Sequence, residues 1–160
     1  MKITKEKAVD LFKSLNDVGN LQGVKFAYAV ARNISLLNSE VDAIQKAIEA
    51  HDDFRKYDEE RVALAKKHAV KVDGKEKVED GQYVVEDQEK FETEFKELQE
   101  KHKNALDVRE KQKNDFKELL KEELEIDLFT IPVEYVPENI TPAQMEGILL
   151  IVADAKAIKE

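Results

Sequence analysis

Three histidines, His51, His68 and His102, are the residues of this chain best able to hold a metal or move a proton, and no cysteine accompanies them. His51 precedes Asp52 and Asp53. Two imidazoles and a carboxylate form the donor set that binds a first-row divalent metal while leaving positions open. If two helices pair about a midpoint near Val78 and Glu79, His51 falls opposite Leu106 and within a turn of His102, so such a centre can be drawn. Spacing gives it no support, since neither Glu-x-x-His nor His-Glu-x-x-His occurs. A polar layer that fixes the register of paired helices uses the same residues without an ion. That is the role expected for His51 and His102, with no metal and no cofactor.

Other chemical signatures fail on individual residues. Gly74-Lys75 would close a phosphate loop only if Ala69 were glycine and Glu76 were Ser or Thr. A calcium loop with Gly81 at its turn position puts Val78, which cannot coordinate through its side chain, at a ligand position. Ser14, Ser35 and Ser39 lack the Gly-x-Ser-x-Gly elbow. Tyr28, Tyr57, Tyr83 and Tyr135 are not expected to build a basic-aromatic stacking platform. Carboxylates are so numerous that pairs arise by chance, so no catalytic residue is assigned and no enzyme activity is expected.

The formal charge is −9, from 35 acids against 26 Lys and Arg in 160 residues. A field of that sign repels phosphate backbones and anionic lipid, so neither nucleic acid nor membrane is an expected partner. Absence of cysteine excludes thiol catalysis and suits a reducing compartment. No apolar run approaches the ~18 residues of a membrane span or makes a signal peptide behind the opening Lys and Glu residues. The expectation is a soluble, intracellular protein.

The elements that would position these residues are mostly helices. Ile3 can open a short strand and Thr4 an N-capped helix through Ala8, Leu11, Phe12 and Leu15 that ends at the Asn16 to Gly19 turn. A second helix follows Gly23, burying Val24, Phe26, Ala27, Val30 and Ala31, with a bend near Asn33. Ile34, Leu37, Val41, Ile44 and Ile48 then keep helical spacing, after which Ala47, Ala50, Phe54, Tyr57, Arg61, Leu64 and His68 take over one residue out of phase, which reads as a change of supercoil in one continuous arm to Val70. Phe91, Phe95, Leu98, His102, Ala105, Arg109, Gln112, Phe116 and Leu119 hold one series through a second arm from Asp87 to Glu125. Acid-then-base pairs such as Glu92/Lys96 and Glu97/Lys101 give each arm a solvated face. Between the arms Asp80-Gly81 favours a two-residue hairpin turn. Leu124, Ile126 and Leu128 alternate as an edge strand before Pro132 and Pro137.

The fold class expected is mainly α: a long antiparallel, coiled-coil-like helical hairpin with a small β-hairpin at its tip and a compact base with minor strand content. We expect a single domain, with residues 1–33 and 124–160 as base and 34–123 as arm, its turn segment at 71–86. In the tail, Thr141 as N-cap, Pro142 and Gln144 predict a helix of about four turns. Ile148, Leu149, Leu150, Ile151 and Val152 would be apolar on every side of it, the expected interaction or oligomer surface, with Leu150 buried.

Met1-Lys2-Ile3-Thr4, the segment from Val24 to Asn33, the hairpin from Glu79 to Asp87 and the tail from Glu122 to Gly147 together resemble small proteins of tailed bacteriophages and prophages grouped as domains of unknown function. That resemblance implies a phage origin and expression in the bacterial cytoplasm, and it carries no site residue. Helix, β-hairpin, helix is also similar to the plan of prefoldin-type chaperone subunits, from which this chain departs by a helix before the hairpin and a strand and helix after it. The expected function is non-enzymatic binding of a host or phage protein, in particle assembly or in interference with a host system, with homo-oligomerisation compatible. Alternatives are an acidic mimic of nucleic acid that occupies a host nucleic-acid-binding protein, against which the interspersed lysines of the second arm argue, and a prefoldin-like chaperone. From the charge we predict no gel shift of single- or double-stranded DNA at micromolar protein and low salt, where phosphate contacts are strongest; a shift that weakens steeply with added salt would overturn this.

Overall fold

The computed structural model describes residues 1–153. In chain order its elements are β1 (Lys2–Thr4), α1 (Lys5–Asp17), α2 (Val24–Ala47), α3 (Asp52–Lys67), β2 (Lys71–Val72), β3 (Lys75–Glu76), β4 (Val78–Glu79), β5 (Gln82–Tyr83), α4 (Gln88–Lys101), α5 (Lys103–Lys121), β6 (Glu123–Glu125), β7 (Ile131–Pro132), α6 (Pro142–Ile148) and β8 (Val152–Ala153). The fold is mainly helical with small strand pairs. No helix among the described residues is long and apolar enough to cross a membrane. The chain divides into two compact units, Met1–Ile48 with Phe116–Glu160, and Glu49–Asp115.

The first unit holds most of the buried apolar residues. Thr4 caps α1 by accepting from the Lys7 N–H at 3.2 Å, and Ala8, Leu11 and Leu15 turn one face of α1 onto α2. Strand β1 finds its partner late in the chain: it pairs antiparallel with β6, Ile3 opposite Leu124. Leu124, Ile126 and Leu128 all pack on the core, as their alternation predicts. Helix α2 buries Phe26, Ala29, Val30, Asn33, Leu37, Val41 and Ile44. Val24, Ala27 and Ala31, expected inside, are exposed, and the helix runs through Asn33 without a break.

Asn33 is fully buried and polar, and it is satisfied across the unit. Its Nδ2 donates to the Phe129 carbonyl at 2.8 Å and its Oδ1 accepts the Phe129 N–H at 2.8 Å. The side-chain amide thus does for Phe129 what a neighbouring strand would do, and a further bond from Nδ2 to the Ala29 carbonyl ties it back to its own helix. Beyond Phe129, β7 pairs in parallel with β8, Ile131 opposite Val152.

The tail corrects the sequence reading. Helix α6 has the expected capping box, Thr141 with Gln144, and Pro142 in its first turn. It ends at Ile148, however, and Leu149–Ile151 tightens into a 3-10 turn before β8. In such a turn residues three apart share a face, so Ile148 and Ile151 are both buried while Leu149 and Leu150 are 56% and 39% exposed. Pairing with β7 overrides the helical pattern, and the part of the expected four-turn helix past Ala153 lies outside the described residues. Helix α6 packs on α1 at Gly147, where a Cβ would stand 2.5 Å from Ser14 Oγ.

The expected continuous first arm is interrupted where the first unit gives way to the second. Helix α2 stops with Ile48 as C-cap, and α3 restarts after an extended His51 with Asp52 and Asp53 in its first turn, where carboxylates favour the helix dipole. The break falls where the apolar series changes phase, so the shift marks a helix end rather than a change of supercoil. His102 likewise separates α4 from α5, although its neighbours keep the ladder: the His102 N–H donates to Leu98 and the Leu106 N–H to His102. Half-buried positions still follow the expected series from Phe91 to Leu119.

Between α3 and α4 there are two β-hairpins rather than one. Asp73-Gly74 and Asp80-Gly81 each have φ positive at both residues, the geometry of a two-residue turn that matches strand twist. They close β2 on β3 and β4 on β5. Three backbone bonds tie the hairpins into a ring: Val70 N–H to Val84 C=O at 2.7 Å, Val84 N–H to Lys77 C=O at 3.0 Å, and Lys77 N–H to Val70 C=O at 2.7 Å. An Ala69 to Val85 bridge closes the stem below them.

For the first unit we predict that Asn33→Ala lowers the unfolding free energy by about 2–4 kcal/mol in urea melts, because both backbone groups of Phe129 lose their partner. Asn38→Ala, exposed on the same helix, should cost less than about 0.5 kcal/mol. Equal losses in the two variants would remove the special role of the buried amide.

Candidate functional site

Chemistry-bearing side chains concentrate where α3 and α4 meet, and their arrangement comes from a repeat in the sequence. Tyr57, Glu60, Leu64, Lys67 and His68 recur at the same spacing as Phe91, Glu94, Leu98, Lys101 and His102. Each copy ends its helix with a Lys-His pair, and each pair clasps the glutamate of the other copy. Lys67 Nζ is 2.7 Å and His68 Nε2 3.1 Å from Glu94 Oε2. Lys101 Nζ and His102 Nε2 lie at the same two distances from Glu60 Oε2. The ring contacts repeat as well: His68 meets Phe91 edge-on at 5.8 Å and His102 meets Tyr57 at 5.7 Å. The result is a local pseudo-twofold in which every contact occurs twice.

Both imidazoles are largely buried, and neither Nε2 has an aligned hydrogen-bond partner. Each Nε2 stands 3.1 Å from a carboxylate oxygen without the alignment of a hydrogen bond. The carboxylates feel it strongly. Lys67, then His68, hold Glu94 down to about 2 from an ordinary 4.5. Glu60 is lowered in the same way, by Lys101 first and His102 second. Carboxylates kept ionised in this manner are poor proton acceptors at neutral pH. The arrangement is suited to locking two helices in register.

Between the two clasps runs a groove of about 650 Å³ lined by Glu60, Ala63, Leu64 and Lys67 and by their counterparts Glu94, Glu97, Leu98 and Lys101. Both of its lysines are paired with glutamates, Lys67 with Glu94 and Lys101 with Glu60, and Glu97 adds a further carboxylate. His51 is elsewhere. It shares a cavity of about 240 Å³ with Asp53, Phe54, Val108 and Arg109, because the observed pairs centre on Asp80 rather than on Val78 and Glu79. That displacement, most of a helical turn, carries the position facing His51 from Leu106 to Arg109, farther from His102. Among the described residues no three His, Asp or Glu side chains converge on a metal position.

The tail residues Ile148, Leu149, Leu150, Ile151 and Val152 do not form one surface. Ile148 and Ile151 are core, Val152 is half-buried in β8, and only Leu149 and Leu150 face outward. The tyrosines also depart from expectation. Tyr57 is buried and Tyr83 half-buried, but Tyr28 and Tyr135 are brought together around Phe129 with Lys25 and Arg32. The readable signal for that cluster was Val24, Tyr28 and Arg32 at one-turn spacing on α2; for the clasp it was the repeat itself.

No protein-family model, curated protein or solved structure matches the chain.

The lowered carboxylates fix the sign of a pH effect. A Glu94 whose affinity for protons is depressed on folding contributes stability above about pH 4.5, and that contribution fades as pH falls toward about 2. In circular-dichroism melts, wild type should therefore be more stable than Glu94→Gln at pH 7, the gap narrowing below pH 4.5 and closing near pH 2. A gap that is constant over that range would show that the clasp does not respond to pH.

Proposed function

We propose that the chain is a non-enzymatic protein–protein interaction module, in which α3 and α4 act as a helical hairpin arm and the tandem β-hairpins are its contact surface. The observation that carries this reading is the burial pattern of the hairpins. From Lys71 to Gln82 every residue is exposed, yet the segment is ordered by turn geometry and by its own ring of backbone bonds. An element that buries so little contributes little to the fold, and its ordered shape is available for a partner. Val72 and Val78, both about half exposed, are apolar side chains that this segment leaves open to a partner. The clasped glutamates support the same reading, since they hold the two helices in one register and so fix the base on which the hairpins stand.

The resemblance to small phage and prophage proteins gives the context of this proposal: particle assembly or interference with a host system. Its test is a variant in which Lys71 to Tyr83 is replaced by Asn-Gly between Val70 and Val84, so that the stem closes on a two-residue turn. We expect this variant to keep the helical spectrum and melting behaviour, and to lose partners that wild type captures from bacterial cells and that bind the purified protein in calorimetry. Retention of the same partners at the same affinity would move the contact surface off the hairpins.

A further inference from the structure

The first unit carries a second surface feature, in a different part of the chain from the hairpins. A cavity of about 320 Å³ opens between the start of α2 and the segment around β7, walled by Val24, Tyr28, Phe129, Ile131 and Tyr135. It is aromatic on three sides. Tyr28 meets Phe129 edge-on at 5.5 Å. Val24, 88% exposed, and Tyr28, 56% exposed, are left at its mouth. Large apolar side chains placed together at the surface, beside a core that could have taken them, mark a contact site more often than chance exposure.

The charge at this site is opposite to that of the chain. Lys25 Nζ lies 3.8 Å from the centre of the Tyr135 ring. The Arg32 guanidinium carbon lies 4.9 Å from the centre of the Phe129 ring, and its Nη1 donates to Tyr28 Oη at 3.2 Å. Neither cation is paired with a carboxylate among the described residues; each lies over an aromatic ring instead. A guanidinium has five N–H donors in a planar fork suited to a carboxylate, and one bond to Tyr28 leaves others to offer. The overall negative field disfavours a polyanion and tolerates a single negative charge.

We propose that this cavity binds an extended peptide segment of a partner protein, with one apolar side chain, aromatic or branched, seated among Tyr28, Phe129 and Tyr135 and one neighbouring carboxylate held by Arg32 and Lys25. A peptide is favoured over a compact small acid because the apolar wall continues out of the cavity onto the surface at Val24, 88% exposed, and Tyr28, 56% exposed, where a chain that passes over the mouth makes contacts that a small acid seated inside does not reach. Preformed aromatic pockets of this kind are where interface energy concentrates. The proposal stands whether or not the tandem hairpins contact a partner.

The experiment uses the full chain and fluorescein-labelled, terminally blocked peptides of the form Gly-Ser-Glu-Phe-Gly-Ser. These are compared with versions in which Phe becomes Ala, Glu becomes Gln, or the pair becomes a run of five Glu. Fluorescence anisotropy should show saturable binding of the Glu-Phe peptide, weakened at least tenfold by either single change and absent for the acidic run. Arg32→Gln should weaken it at least tenfold, and so should Val24→Glu, whose position is too exposed to disturb the fold and which puts a competing carboxylate at the mouth. The variant with the hairpins replaced by Asn-Gly should bind the peptide as wild type does, which keeps failure of this site distinct from failure of the hairpin surface. The proposal is overturned by an absence of saturable binding, by equal binding of the Gln or Ala peptides, or by indifference to Arg32→Gln in a folded variant. Full displacement by 3-phenylpropionate at peptide-like affinity would mean a small-acid pocket, and binding of a labelled oligonucleotide in preference to the peptide would mean a nucleic-acid platform.

Discussion

Much of the first unit hangs on the buried amide of Asn33. The segment after β6 contains Pro132 and Pro137 and cannot run as a helix, so its backbone groups need partners that a helix would have supplied internally. One of its peptide units is met by a side chain from α2, in the two-point manner of a strand neighbour. This choice fixes Phe129 against the helix at one height and one rotation. The β7 pairing, the contact between Tyr28 and Phe129, and the placement of Arg32 on the Phe129 ring are all consequences of that single anchoring. An apolar residue at position 33 would fill the same space and leave the segment without a register, since hydrophobic contact alone does not distinguish one peptide unit from the next.

The second unit solves a different problem. Its helices α3 and α4 have little core between them: Tyr57 is the only fully buried residue of α3, and α4 has none. Two amphipathic helices with a narrow apolar seam can slide or rotate at small cost. The two Lys-His clasps oppose that, because each glutamate is held at one height by residues at the end of the other helix. A slip by one turn would part both clasps at once and leave two largely buried imidazoles without their carboxylates. An exposed ion pair by itself contributes little. Here the pairs act by register, and the aromatic edges of Phe91 and Tyr57 hold the imidazoles that complete them.

What could be read from the sequence was what local chemistry decides. Thr4, Gly23 and Thr141 mark helix starts in the structure as in the sequence, and Asp80-Gly81 makes the expected turn, because caps and tight turns involve only a few consecutive residues. Asp73-Gly74 carried the same signal and makes a second turn. The misreadings all come from long-range pairing. A phase change in the apolar series looked like a supercoil adjustment and is a helix end. The tail helix gives way to a 3-10 turn because β8 is needed beside β7. The cluster at Phe129 was hidden because Tyr28 and Tyr135 come from distant parts of the chain, joined by an asparagine that looked like a bend. The reciprocal clasp was legible in principle: the repeat of Tyr57 to His68 at Phe91 to His102 lies in plain sequence, and helical periodicity alone passes over it.

How the cations are used separates the surfaces of this protein by kind. Some of the lysines and arginines are matched to a carboxylate at contact distance, within a helix at Arg61 and Lys121 and between segments at Lys5, Lys67 and Lys101. A cation already matched in this way offers little to an incoming anion, which would have to displace a partner held at contact distance. That argues against the groove between the clasps as an anion site, even though two lysines line it. Lys25 and Arg32 are the contrast. They are set on aromatic faces, which attract a cation without neutralising it, so their charge is still available at the surface. The same rings that position them supply an apolar seat. Apolar seat and unspent charge thus arise from one cluster, and any ligand that satisfies one and not the other gains only part of what the site offers.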